Sequence, residues 1–160
     1  MKLKILCTGG TFDKVYYDAL SDYQIGDPQV EWILKQANTS IDYQIESIVK
    51  KDSLDLTDDD RQHILEKVQA ESCTHIVITH GTDTMVDTAQ ALNDVTDKTV
   101  VLVGAMQPAR FKDTDAIFNT GFAVAAATLL SPGIYIAMNG QIFSADEVRK
   151  NRNAGRFEAK

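Results

Sequence analysis

The chain has 160 residues, 44% hydrophobic and 24% charged, with a formal net charge of -7. That length fits one domain able to bury roughly 70% of its unfolded surface without staples, and no apolar run approaches the ~20 residues that cross a bilayer. The acidic balance argues against nucleic acid as a partner, because binding a phosphate backbone depends on clustered Lys and Arg.

In chain order, short apolar runs alternate with amphipathic ones, the β-α rhythm of a parallel sheet flanked by helices. Leu3 to Cys7 reads as the first strand. The charge at Lys2 and Lys4 precedes too short an apolar stretch for a secretory signal, and no small-residue cleavage site follows. With Cys7 and Cys73 as its two lone cysteines, the chain is expected to keep reduced thiols in the cytoplasm. Pro28 to Ala37 then predicts a crossover helix, with proline in its first turn and Val30, Ile33 and Leu34 at helical spacing. Tyr43 to Val49 is the second strand.

Thr57 reads as the N-cap of a helix whose first turn carries Asp58, Asp59 and Asp60 at the positive end of its dipole. His75 to Thr79 and Thr99 to Val103 are strands, followed by helices over Thr84 to Leu92 and Asp113 to Leu130. Gly133 to Met138 is the fifth strand, and Asn139-Gly140 signals a tight hairpin into Gln141-Ile142-Phe143. Residues 151–160 are polar and unpatterned, and are expected to form a mobile tail.

The fold class is therefore α/β, an open, mostly parallel, flavodoxin- or Rossmann-like sheet with a C-terminal β-hairpin addition. Right-handed crossovers give the strand order 2-1-3-4-5, with a crevice between strands 1 and 3, whose following helices lie on opposite faces. Thr11 leaves strand 1 and Thr82-Asp83 leave strand 3, so both threonines are expected on the lips of one crevice, with Asp52-Ser53 along the same edge.

Gly9 and Gly10 suit a tight turn near a ligand, yet no Lys-Ser or Lys-Thr follows at P-loop spacing and the dinucleotide fingerprint is missing. His80-Gly81-Thr82-Asp83-Thr84-Met85 packs two hydroxyls and a carboxylate into one turn, where Thr84 alone reads as an N-cap. His63, His75 and His80 lack metal-ligand spacing, so no metal is expected. A threonine hydroxyl needs a nearby base before it can attack. Lys150, held by Asp83, is one candidate partner, and a phenol from Tyr16 or Tyr17 covering the crevice is another.

Five segments occur in the order and approximate spacing of bacterial-type L-asparaginases: Thr8-Gly9-Gly10-Thr11, Asp52-Ser53, His80 to Met85, Gly104-Ala105-Met106-Gln107-Pro108 and Asp146-Glu147-Val148-Arg149-Lys150. Over nearly its whole length the chain resembles that family. The resemblance implies an amidohydrolase that cleaves the side-chain amide of L-asparagine, or a related small amide, without a cofactor. It implies that Thr11 attacks, that Tyr16 or Tyr17 assists, and that Thr82, Asp83 and Lys150 handle protons or water. Gly10, Asp52, Ser53, Gly81, Thr82 and Asp83 would surround the substrate, with Ser53 and Asp83 at its α-carboxylate and α-ammonium ends.

This sequence departs from the family pattern at Leu54, where a polar residue is usual, and at Val86-Asp87, where paired glutamates are usual. Residues 1–150 are expected to form the N-terminal catalytic domain, 151–160 the tail, and the family's C-terminal domain to be absent. Loss of a charged contact from that domain would cost roughly 1.5 to 3 kcal/mol, about ten- to a hundredfold in binding. The expectation is thus a weak or broadened amidohydrolase, or a homodimer whose second copy completes the pocket. The alternatives are an aspartate- or asparagine-binding protein without turnover, and an ammonia-producing subunit of a tRNA-dependent complex.

Overall fold

Alternation along the first strand sets up the two faces of the sheet. In β1 (Lys2–Gly9), Leu3, Ile5 and Cys7 are buried on one side and Leu6 on the other. The computed structural model describes residues 1–160. After β1 come β2 (Lys14–Tyr17), β3 (Asp22–Ile25), α1 (Val30–Gln36), β4 (Asp42–Lys51) and α2 (Asp58–Ala70). The chain continues through β5 (His75–Thr79), α3 (Met85–Ala91), β6 (Thr99–Val103), α4 (Ala116–Leu129) and β7 (Gly133–Met138). It closes with β8 (Gln141–Ser144), β9 (Val148–Asn151) and β10 (Arg156–Ala159).

The main sheet runs β4-β1-β5-β6-β7-β8, the expected 2-1-3-4-5 order with one antiparallel strand added. Helices α1 and α4 cover the face that presents Leu3, Ile5, Val77, Val101 and Val103. Helices α2 and α3 cover the opposite face, with Leu6, Ile76, Ile78, Val100 and Leu102. Covered on both sides, β6 is buried at every residue, which is why Thr99 to Val103 reads as an unbroken apolar run rather than an alternating one.

Local chemistry fixes the ends of these elements. Thr57 and Asp60 form a reciprocal capping box at the start of α2, and Lys51 clamps the Asp60 carboxylate at 2.8 Å. Between β7 and β8, Asn139 and Gly140 both adopt positive φ, 55° and 71°, as a tight two-residue hairpin requires. No helix is long and apolar enough to cross a membrane.

Two features differ from the sequence reading. The segment 151–160 is not a mobile tail. It turns back at Gly155 and forms β10, antiparallel to β9, with Phe157 only 1% exposed in the core beneath α3. The Phe157 N–H also donates to Asn139 Oδ1 at 2.8 Å, tying this hairpin to the β7–β8 turn. Separately, β2 and β3 form a small hairpin outside the main sheet, in a stretch to which the sequence reading assigns no element.

Phe157→Ala should therefore cost about 3 to 5 kcal/mol in urea unfolding, as truncation of a buried aromatic does. A mobile segment would give less than about 0.5 kcal/mol, the range of neutral surface changes.

Candidate active site

Three loops converge at the carboxyl ends of β1, β4 and β5. Gly10 holds φ at 74°, and a Cβ there would lie 2.6 Å from both Cα and N of Gly81. Only a residue without a side chain permits that approach. A Cβ on Gly81 would in turn fall 2.5 Å from Ser53 Oγ, so the turns carrying Thr11, Ser53 and Thr82 stack directly on one another. Hydrogen bonds lock the stack: Gly10 N–H donates to Lys51 O at 2.9 Å, Thr8 Oγ1 to Thr79 O at 2.9 Å and Thr84 Oγ1 to Ser53 O at 2.8 Å. Thr84 does stand at the N-cap of α3, but its hydroxyl ties two loops together instead of capping the helix.

Thr82, Asp83 and Lys150 meet. Lys150, on β9, donates to Thr82 Oγ1 and to Asp83 Oδ1, each at 2.8 Å. Thr82 is buried, and its hydroxyl points toward Met106 Sδ at 3.8 Å. Met106 is fixed from behind: Asp115 accepts its backbone N–H at 2.9 Å and that of Gln107 at 3.0 Å, while Asn119 donates to Gly104 O at 3.1 Å. The backbone N–H groups of Gly81, Thr82 and Asp83 have no backbone acceptor, whereas that of Gly10 is committed to Lys51.

Thr11 opens a short 3-10 turn that ends at Asp13. Phe12 beside it is fully buried and its carbonyl accepts the Ala109 N–H at 3.1 Å, so the turn is gripped by the core. Asp13 is buried too, with Oδ1 accepting the Gln29 N–H at 2.8 Å and its carbonyl accepting the Gly26 N–H at 2.8 Å. Burial pushes this carboxyl up to about 7, against the pull of the Gln29 N–H.

Ser53 Oγ is buried without a protein partner. Asp52 bonds the Leu54 N–H and pairs with Lys14 at 3.1 Å. Burial works against its ionisation, but those two contacts outweigh it and hold the carboxyl below its usual range. Leu54 itself is exposed. Tyr16 and Tyr17 are half-exposed on the β2–β3 hairpin; Tyr16 packs edge-on against Tyr23 at 5.4 Å and makes no hydrogen bond to Thr11. His80 is enclosed, bonded through Nδ1 to Gly81 O at 2.7 Å and through Nε2 to Thr88 Oγ1 at 2.8 Å, and burial lowers it to about 4. It is a structural residue that shapes the turn.

Residues 2–159 match the family described as "Asparaginase, N-terminal". The chain belongs to the asparaginase family. It is 34% identical over 160 residues to the "Probable L-asparaginase periplasmic" of Haemophilus influenzae, covering 92% of this chain and 46% of that protein. Among solved structures, it resembles the thermostable L-asparaginase from Thermococcus kodakarensis, with a TM-score of 0.87, 30% identity, and coverage of 99% of this chain and 51% of that one. A probable cytoplasmic L-asparaginase from Campylobacter jejuni matches with a TM-score of 0.80 and 33% identity, again covering 99% and 51%. The chain thus spans about half the length of these asparaginases.

Sequence reasoning missed three parts of this candidate site. The Asp115 clamp on Met106 runs through backbone N–H groups, which leave no trace in side-chain chemistry. Asp13 carried no sequence signal for burial, standing two residues after Thr11 in a stretch to which no element was assigned. Arg152, placed in the tail by sequence, donates to Asp83 Oδ1 at 2.9 Å, and its spacing of two from Lys150 is the signal that would have found it.

Asp13 makes stability depend on pH with a definite sign. Between about pH 4 and 7 the unfolded chain has released this proton while the folded chain keeps it, so stability falls as pH rises through that window, and the cost is complete above it. Asp13→Asn preserves the acceptor for Gln29 and removes the cost. In urea titrations the variant should match the native protein near pH 4 and exceed it by about 2 to 4 kcal/mol near pH 8.

Proposed function

We propose that this protein is an amidohydrolase converting the side-chain amide of L-asparagine, or of a related small amide, to the acid and ammonia, with Thr11 as nucleophile. The observation that carries this reading is the position of Lys150. Its Nζ lies 2.8 Å from both Thr82 Oγ1 and Asp83 Oδ1, in a turn that touches the turn of Thr11. Membership of the asparaginase family, and relatives named L-asparaginase, support the same chemistry.

The geometry suggests how the steps divide. The Thr11 oxygen bonds to the amide carbon, its proton passes to the nitrogen, the C–N bond breaks and ammonia leaves, so that an ester remains on Thr11. Charge on the carbonyl oxygen during addition is met by the unpaired N–H groups of Gly81, Thr82 and Asp83. Water then adds to the ester, its proton relayed through Thr82 and Lys150 toward the Thr11 oxygen, and the acid departs. Asp83 holds Lys150 in line for that relay. One amide and one water enter and one acid and one ammonia leave, a balance that needs no cofactor. Gly10, Ser53 and Asp52 shape the floor of the cleft, and the β2–β3 hairpin with Tyr16 is its cover.

Ammonia release from L-asparagine and a panel of related amides tests the reading. Thr11→Ala and Thr82→Ala should each lower kcat at least about 10³-fold, as loss of a nucleophile or of a coupled partner does. Lys150→Met should cost about 10² to 10⁴-fold, the usual range for a proton-transfer group. Full activity in any of these variants rejects the role assigned to that residue. Aspartate binding by calorimetry without ammonia from any amide would make this a binding protein instead.

The same reading includes a homodimer and a cytoplasmic site of action, the latter supported by the free thiols of Cys7 and Cys73. Helix α4 carries no charged residue and exposes Ile117, Phe118 and Leu129 beside Ile142 of β8. Burying this uncharged, partly apolar face removes no charge from water, and a second copy is the occupant proposed for it. Light scattering at micromolar concentration should give a dimer and Phe118→Lys a monomer; a native monomer throughout would overturn this assembly.

A further inference from the structure

Two elements distant in sequence claim the Thr82 hydroxyl. Lys150 Nζ lies 2.8 Å from Oγ1, and an ammonium brings hydrogens and no acceptor, so the Thr82 oxygen accepts there and its own hydrogen must leave in another direction. The acceptor the chain offers that hydrogen is Met106 Sδ, at 3.8 Å. A thioether is a weak acceptor, enough to orient a hydroxyl without consuming it. One lone pair on the oxygen is left for a substrate group or a water.

Met106 is held for this contact. Met85 and Met138 are fully buried in the core, whereas Met106 is half-buried at its boundary, on the loop from β6 to α4. Asp115 stands at the N-cap of α4, where an aspartate ordinarily accepts from the first turn of its own helix, yet its side chain makes no such bond. The carboxylate turns to the loop instead. Oδ2 accepts the Met106 N–H at 2.9 Å and Asn119 Nδ2–H at 3.0 Å, while Oδ1 accepts the Gln107 N–H at 3.0 Å. Both oxygens meet only donors, so an amide in place of the carboxylate would set N–H against N–H. Asn119 also donates to Gly104 O at 3.1 Å and Thr114 Oγ1 to Gln107 O at 3.1 Å, which pins both ends of the segment carrying Met106.

We propose that Met106 and Asp115 are positioning residues: Met106 fixes the direction of the Thr82 hydroxyl hydrogen, and Asp115 acts through Met106 by fixing the loop that carries it. The inference rests on the amidohydrolase reading for its effect on turnover, and on the geometry alone for the orientation.

The chain has four methionines, so methyl NMR on isotope-labelled methionine resolves Met106, assigned by its loss in Met106→Leu. Its signal should stand away from the free-methionine position in the native protein, move in Thr82→Val, and collapse to the free position in Asp115→Asn, while Met85 and Met138 hold theirs. Met106→Leu and Asp115→Asn should each lower kcat for ammonia release about tenfold with KM held within about twofold, and the double variant should lose no more than the larger single one, because the two act in series. A free-like native Met106 signal, a signal unmoved by either Thr82→Val or Asp115→Asn, an unchanged kcat in Met106→Leu, or losses that multiply, overturns the inference. If Asp115→Asn displaces Met85 and Met138 as well, it reports unfolding, and Met106→Leu with Thr82→Val carries the test. No ammonia from any amide with the native protein rejects the hydrolase and leaves the methyl signals to decide the orientation.

Discussion

Everything at the site depends on two backbones touching where no side chain intervenes. The Gly10 and Gly81 turns approach so closely that a single methyl group on either would collide with the neighbouring loop. Parallel strands place the ends of β1 and β5 side by side, but adjacency of strands alone leaves their loops free to splay. The glycines convert that adjacency into contact. Ser53 completes the stack, and the hydroxyl of Thr84 staples its carbonyl in place.

Around that contact the protein separates rigidity from reactivity. Phe12, His80 and Asp13 are sunk into the core and hold the turns from below, with burial keeping the imidazole neutral and the Asp13 carboxyl protonated well above its ordinary range. Asp115 grips the Met106 loop through backbone donors, and Met106 meets the hydroxyl of Thr82. Thr82, Asp83 and Lys150 stand above these supports, in the rim between β5 and β9. The support is largely made of hydrogen bonds with both partners fixed, which is what pre-positioned chemistry requires.

How much of this was legible depended on where each signal was stored. The strands His75–Thr79, Thr99–Val103 and Gly133–Met138 match their predicted bounds, because a strand buried on both faces writes its ends as a switch from apolar to polar. The crevice followed from topology, since alternating β and α segments allow few strand orders. The β2–β3 hairpin was hidden because Tyr16, Tyr17 and Tyr23 are half-exposed and its bend is made by Ser21 at φ 48°, not by glycine. In β9 and β10, Val148 and Phe157 are the apolar anchors of an otherwise polar stretch, too sparse to read as strands. The ion pair of Arg152 with Asp83 joins residues 69 apart, and its one trace in the sequence is the spacing of two from Lys150.

That separation has a consequence for how the protein comes into being. Thr82 and Lys150 lie 68 residues apart, and their bond exists only once β9 has settled beside α3. A nascent chain still lacking this hairpin would already display both threonines and their stacked turns, yet the ammonium linking hydroxyl to carboxylate would be missing. Closing so long a loop is entropically costly and slow relative to local contacts. Formation of that contact is thereby deferred until the β9–β10 hairpin has been made and packed against the earlier elements.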